Sequence, residues 1–261
     1  MDELDLLQLL DSAFPIGSYA HSGGFEALCK LTDTGFPNRT NLNLSSPEAF
    51  STLDRLILSI LDNTGSLHIP FLRDAFLNAD TIKIIAEIDA RLHIMMSNHV
   101  AKRASLQQGK SLASTSAQVF IKHRYSLNMH DINSAISSHQ MAGHFPVVFA
   151  CMCRFLGATL EQTARYYLFG QLRTVLGSAV RMGIIGPLKG QEIQNRFQRD
   201  LVPLSEKYAL WSSLCRFLKC YKAVFLNYHR YLAVPEPCIC NPVLEVIQSA
   251  HDKLFAKLFY S

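Results

Sequence analysis

Thr159-Leu160-Glu161-Gln162 opens the stretch that most restricts what this chain can become. A Thr and a Gln three residues apart form a capping box, which pairs two of the backbone N–H groups that a helix start leaves exposed. Behind it, Leu160, Ala164, Tyr167, Leu168, Leu172, Val175, Leu176 and Val180 cover most sides of a helix running to about Met182. A helix apolar on most sides needs other helices around it, so this one is expected at the centre of a bundle. One face differs. Gly170, Thr174, Gly177 and Arg181 fall at 4-3-4 spacing, where small side chains let another backbone approach along a groove that ends at a guanidinium.

Other segments speak the same language. Ser46-Pro47-Glu48 reads as N-cap, N1 proline and acidic first turn, opening a helix that carries Phe50, Leu53, Leu56, Ile57, Ile60 and Leu61. Residues 80–115 read as one long helical stretch, with Ile85, Ile88, Leu92, Met95 and His99 on a single stripe, which makes His99 a core histidine. After Gly186-Pro187 a helix is expected to about Asp200. Asn241-Pro242 is a further N-cap and N1 pair, with Leu244, Ile247, His251, Leu254, Phe255 and Leu258 striped behind it. Residues 32–46 read as a loop within the domain. No period-2 strand and no repeat emerges, so the expectation is an all-α fold, a single-domain helical bundle of roughly eight to ten helices spanning residues 1–261.

Composition narrows the class. Apolar residues make up 49% and charged residues 18%, the balance of a globular protein. At 261 residues, burial of roughly 70–75% of the unfolded surface is within reach. The acidic start Met1-Asp2-Glu3 is wrong for a signal peptide, and the longest apolar run, Phe145 to Cys153, is too short to span a bilayer. Seven cysteines, an odd number, fit a reducing compartment, so a cytoplasmic protein is expected. The net charge of +4 is concentrated. Residues 211–232 hold Arg216, Lys219, Lys222 and Arg230 without an acid, leaving 21 basic and 21 acidic residues elsewhere. With Leu214, Phe217, Leu218, Tyr221, Phe225 and Tyr228 interleaved, this segment is either a core helix with solvated cations or a module for nucleic acid or anionic membrane.

Residues 10–26 are the densest in candidate function. They set a Pro, three Gly, His21, Ser22 and Glu26 among apolar residues. Ala20-His21-Ser22-Gly23-Gly24 is a relaxed G-x-S-x-G, so a serine hydrolase using Ser22 is one reading; the leucines upstream look helical, however, where the elbow needs a strand. A phosphate-cradling loop is poorly supported, since Gly109-Lys110-Ser111 has Ala104 at the position of the first P-loop glycine and lies in a helical stretch. A partner-docking turn is the third reading. Metal spacing is absent: Cys238-Ile239-Cys240 lacks a second ligand pair, and Cys151 and Cys153 diverge on a helix.

Three ordered blocks resemble the urease accessory protein UreF family. The first is Leu10, Asp11, Pro15, Gly17, His21, Ser22, Gly24 and Glu26, with Phe25 where the family usually has leucine. The second is Tyr167-Leu168-Phe169, then Ser178 to Gly183 around Arg181, Gly186, and Gly190-Gln191. The third is Pro242, Leu244, Glu245, His251 and Leu258-Phe259-Tyr260-Ser261, and His144 to Phe149 resembles a mid-chain block. The resemblance implies an all-α homodimer without catalysis of its own. It implies a scaffold for nickel insertion into apo-urease that docks the nickel-carrying UreG-type GTPase and the UreD/UreH-type protein. It further implies that no cofactor is bound tightly, that nickel is handled by the partner complex, and that neither nucleic acid nor membrane is a partner. On this resemblance the Pro15–Glu26 turn and the corner of Arg181, Gly183, Gly186, Gly190 and Gln191 are docking surface. A C-terminal helix over 242–261, with Pro242, His251, Phe255 and Ser261, carries exposed Leu258 and Phe259 as an apolar anchor. His251 is there an interface hydrogen-bonder or a packed histidine. Residues 211–235 are extra sequence relative to the family.

Overall fold

Every regular element is an α-helix or a 3-10 turn in the computed structural model, which describes residues 3–17, 20–31, 47–209, 237–254 and 258–259. The helices are α1 (Glu3–Leu10), α2 (Phe25–Leu31), α3 (Pro47–Leu77), α4 (Ile82–Met95), α5 (His99–Val119), α6 (Ser126–Ser137), α7 (Phe145–Phe155), α8 (Leu160–Arg181), α9 (Pro187–Ala209) and α10 (Pro242–Ser249). A 3-10 turn, Ala250–Lys253, follows α10. No strand occurs among the described residues, and the all-α bundle expected from the capping signals is the observed class. The basic segment 211–232 lies outside the described residues, as does the loop 32–46.

The centre of the bundle is α7 rather than α8. Every residue of α7 except Arg154 is buried, and α3, α5 and α8 all pack on it. Its start is tied down from outside: the Asp89 carboxylate of α4 accepts the backbone N–H groups of Ala142, Gly143 and His144 at 2.7, 2.9 and 2.8 Å. Two of these donors belong to the turn leading into α7 and the third to His144, its N-cap residue. Burial outweighs those three bonds and pushes the Asp89 carboxyl above its ordinary range. His144 completes the knot, with Nδ1 3.1 Å from Ser105 Oγ on α5 and Nε2 3.0 Å from His93 Nδ1 on α4. Gly109, in the weak phosphate-loop match, has a packing reason instead, since a Cβ there would overlap the Gly143 carbonyl.

The stretch 80–115 is two helices. Asn98 breaks it: its Oδ1 accepts from Val100 N at 3.0 Å and Ala101 N at 3.2 Å, an N-cap that starts α5 anew. The stripe therefore ends at Met95, and His99 is 62% exposed in its side chain, paired with Asp252 at 3.3 Å rather than set in the core. Two other helices run further than expected, each past a proline. The helix from Pro47 continues through Pro70 to Leu77, and the helix from Pro187 continues through Pro203 to Ala209. Tyr208 fixes the latter end, its ring over Gly65 of α3 and its hydroxyl donating to Asp62.

Candidate functional site

The first block is a turn built on α1. Asp11 Oδ1 accepts from Ala13 N at 2.9 Å, and this bond leads the causes that lower the Asp11 carboxyl below its ordinary value. From α8, Arg173 donates to the Leu10 carbonyl at 3.2 Å, capping the end of α1. Pro15 is exposed, with Ile16 and Gly17 half-buried beside it. His21 and Ser22 turn inward, 3% and 0% exposed. No strand leads to Ser22 among the described residues, so the geometry of a nucleophile elbow is missing there. Burial, with Arg103 and His251 nearby, pushes the His21 imidazole down to about 4, so it stays neutral at physiological pH. Gly24 adopts φ +89°, and a Cβ there would press on the Gln248 side chain of α10 at 3.1 Å. A glycine is needed on both counts.

Glu26 is the hinge of the site. Its carboxylate is fully buried yet accepts from four donors: Lys30 Nζ at 2.7 Å, His251 Nε2 at 2.9 Å, Leu258 N at 2.7 Å and Phe259 N at 3.1 Å. Those donors hold the carboxyl below its ordinary value of 4.5 although burial alone pulls the other way. The C-terminal segment thus folds back onto the first block.

That contact corrects the expected helix over 242–261. The helix α10 stops at Ser249, the 3-10 turn ends at Lys253, and Leu254 is extended at φ −66°, ψ 131°. The N–H groups of Leu258 and Phe259 bond Glu26, and Asp252 is forked by Arg103 at 2.9 and 3.1 Å, geometries that a continuous helix would not deliver. His251 is a packed histidine with zero exposure, and its Nδ1 has no partner among the described residues. Leu258 is 55% exposed, but Phe259 is only 5% exposed, so the expected pair of exposed anchors is one. Phe255 and Ser261 lie outside the described residues. Pro242 sits exposed at the far end of α10, behind Asn241, which accepts from Leu244 N at 3.1 Å and donates its own N–H to Asn63 of α3.

The second block finishes α8. Gly183, at φ +71°, ends the helix in a Schellman motif, with Gly183 N bonded to Val180 O at 3.0 Å and Ile184 N to Ala179 O at 2.9 Å. Gly186 is exposed, Pro187 begins α9, and Gly190 is buried where a Cβ would meet Val180 at 3.1 Å. Arg181 donates to the Gly177 carbonyl at 3.1 Å, and its guanidinium carbon lies 4.3 Å from the centre of the Phe259 ring. All three blocks therefore meet at the C-terminal end of α8.

A groove of about 530 Å³ opens at that meeting point. Leu10, Asp11 and Ile16 line one wall, Gly190 and Gln191 the other, and the small-residue face Gly170, Thr174, Gly177 and Arg181 forms the floor. Among the described residues, a Cβ at Gly170 would meet nothing within 4 Å, and one at Gly177 only Arg181 at 3.9 Å. None of the described helices is therefore admitted by these small residues. An adjoining apolar recess of about 570 Å³ runs between α1, α8 and α9, past Leu7, Phe169, Leu201 and Val202.

No group of three His, Cys, Asp or Glu side chains among the described residues is placed to hold a metal ion. Cys151 and Cys153 are buried in α7, with burial driving both thiols far above their ordinary range. Cys238 and Cys240 are exposed, and Cys240 Sγ lies 3.4 Å from Asp62. None of the described helices is long and apolar enough to cross a membrane.

Fold and site together define an all-helical protein, among the described residues, in which two distant sequence blocks wall an open groove and the third packs against its arginine end. The family model for UreF matches residues 51–198. Over 254 residues the chain is 32% identical to urease accessory protein F of Arabidopsis thaliana, covering 97% of this chain and 90% of that protein. Identity is 28% to urease accessory protein F of Oryza sativa subsp. indica, over 97% of this chain and 82% of that one. It is 26% to urease accessory protein UreF of Trichodesmium erythraeum, over 99% and 96%. The chain belongs to the UreF family of urease accessory proteins.

Proposed function

We propose that this chain is a non-catalytic, cytoplasmic scaffold for nickel insertion into apo-urease, acting as a homodimer that docks a UreG-type GTPase and a UreD/UreH-type protein. Nickel is cargo of the assembled complex, carried by the GTPase. The observation that carries the reading is the groove above Gly170 and Gly177, open to solvent, ending at Arg181, and walled by the first two sequence blocks. Its floor is shaped for a backbone that the described residues do not supply, which suits a partner's segment. We assign the groove to the GTPase and the C-terminal segment, with exposed Leu258, to the UreD/UreH-type protein.

Co-expression with the cognate UreD- and UreG-type proteins, followed by size exclusion with light scattering, tests this reading. A stable complex containing two copies of this chain is the expected result. A chain that elutes alone under all conditions removes the scaffold role and leaves family membership intact.

A further inference from the structure

The α5–α6 connection carries a feature that the groove does not use. Across residues 119–127, Phe120 and Tyr125 turn inward, while Ile121 and Leu127 stand 68% and 77% exposed and Val119 43%. Lys122 and Arg124 are exposed between them, and neither forms an ion pair among the described residues. No acid occurs from Val119 to His130. Isolated exposed aliphatics are ordinary on protein surfaces, but a cluster rimmed by charge of one sign marks a contact.

The tip is also held in shape. His123 N bonds the Phe120 carbonyl and Ser126 N the His123 carbonyl, both at 2.9 Å. Tyr125 stacks on Phe155 of α7 with centroids 5.7 Å apart, and the Arg124 guanidinium lies 4.9 Å from the Tyr125 ring. Phe120 stacks on Phe14 at 6.0 Å. Phe14 belongs to the same turn that gives Asp11 and Ile16 to the groove wall. Rigid apolar groups displayed in advance lose little freedom on binding, which is the usual design of a contact.

We propose that Ile121, Lys122, Arg124 and Leu127 form a second contact for the protein that occupies the groove, which there presents an apolar recess rimmed by carboxylates. The inference rests on the groove reading, and extends it across the Phe14–Phe120 stack to a surface outside the three sequence blocks. The charge argument sets the partner's chemistry: two cations without an ion pair among the described residues, set between two exposed aliphatics, favour acids beside a hydrophobic pocket.

The test uses the full chain with its cognate UreG- and UreD-type proteins. Two double variants, Lys122→Glu with Arg124→Glu and Ile121→Ser with Leu127→Ser, are compared with wild type and Arg181→Ala, with helix content checked by circular dichroism. Capture of the GTPase is expected to weaken at least tenfold in each tip variant, and the charge variant is expected to lose most of its salt dependence. If both tip variants capture it like wild type while Arg181→Ala is weakened, the tip proposal falls and the groove reading stands. If the wild-type chain captures neither protein, both fall together. Wild-type binding to phosphatidylserine vesicles that the tip variants lose, with capture unchanged, overturns the proposal in favour of a membrane contact.

Discussion

The Arg181 guanidinium carbon sits 4.3 Å from the centre of the Phe259 ring, so the groove end of α8 and the C-terminal segment form one surface. Glu26 closes the arrangement from the other side by accepting the N–H of Phe259 and of Leu258. A carboxylate near the start, an arginine in the middle and a phenylalanine near the end of the chain thus depend on one another.

Replacing Glu26 by Gln keeps the shape but removes the charge that His251 and Lys30 face. Taking one charge from a buried, hydrogen-bonded set leaves the others uncompensated, a loss of about 3 kcal/mol. Chemical denaturation is expected to show that loss, and limited proteolysis is expected to cut sooner near residues 254–259. The sign of the acid response follows from the lowered carboxyl. Its stabilisation is complete above its ordinary value of 4.5 and disappears as pH falls through the depressed native value. The Gln variant should lack that component of acid unfolding, and a variant as stable as wild type would contradict the clamp.

Filling the groove separates contact from packing. Gly170→Leu and Gly177→Leu place side chains where a Cβ meets no neighbour closer than 3.9 Å, so neither should disturb the core. Glycine inside a helix is about 1 kcal/mol less favourable than alanine, and the substitutions should leave Tm equal or higher. Capture of the GTPase should nevertheless weaken at least tenfold. A fall in Tm with capture intact would make these glycines structural.

Much of this was legible in local patterns. The capping box at Thr159 and the Asn241-Pro242 pair mark real helix starts, because a cap is a short-range arrangement of donors and acceptors. The 4-3-4 face of α8 was legible for the same reason: helical periodicity alone fixes it. Asn98 escaped because the apolar stripe from Ile85 to Met95 continues in phase to His99, and periodicity is blind to a cap inside it. The fold-back of Leu258 and Phe259 onto Glu26 left no local trace, since partners more than 200 residues apart share no sequence pattern. The apolar stripe behind Asn241-Pro242 therefore suggests a helix over 242–261, where the structure has α10 stop at Ser249.

Buried neutral histidines predict acid sensitivity at milder pH. Burial pushes His21 down to about 4 and His144 to about 3, from an ordinary 6.5. Both are neutral when folded, and unfolding frees each to take a proton below 6.5. Stability is therefore full above that value and falls as pH drops from 6.5 towards 4, by roughly 1.4 kcal/mol per pH unit for each proton. Urea midpoints measured from pH 7.5 to 5 should decline accordingly. His21→Asn should reduce the slope by one proton, and an equal slope in that variant would remove His21 from the account.

Pro70 and Cys238 offer the most local test of how the C-terminal region is seated. Pro70 has no N–H, so the Ser66 carbonyl four residues earlier in α3 loses its helical partner. Cys238 N supplies the missing donor at 3.3 Å, and the Ser66 hydroxyl donates back to the Cys238 carbonyl at 2.9 Å. The helix defect is thus a docking point for the strap that leads into α10, next to the Asn241 bonds to α3. Ser66→Ala removes the return bond from a buried position, a cost of about 1–2 kcal/mol. Pro70→Ala lets an alanine N–H compete for the Ser66 carbonyl, so it should stabilise α3 while loosening the strap. Amide exchange at Cys238 separates the two effects. It should rise in both variants, whereas global stability should fall only in Ser66→Ala. Unchanged exchange at Cys238 in Pro70→Ala would mean that the strap is held by the Ser66 hydroxyl and Asn241, without need of the freed carbonyl.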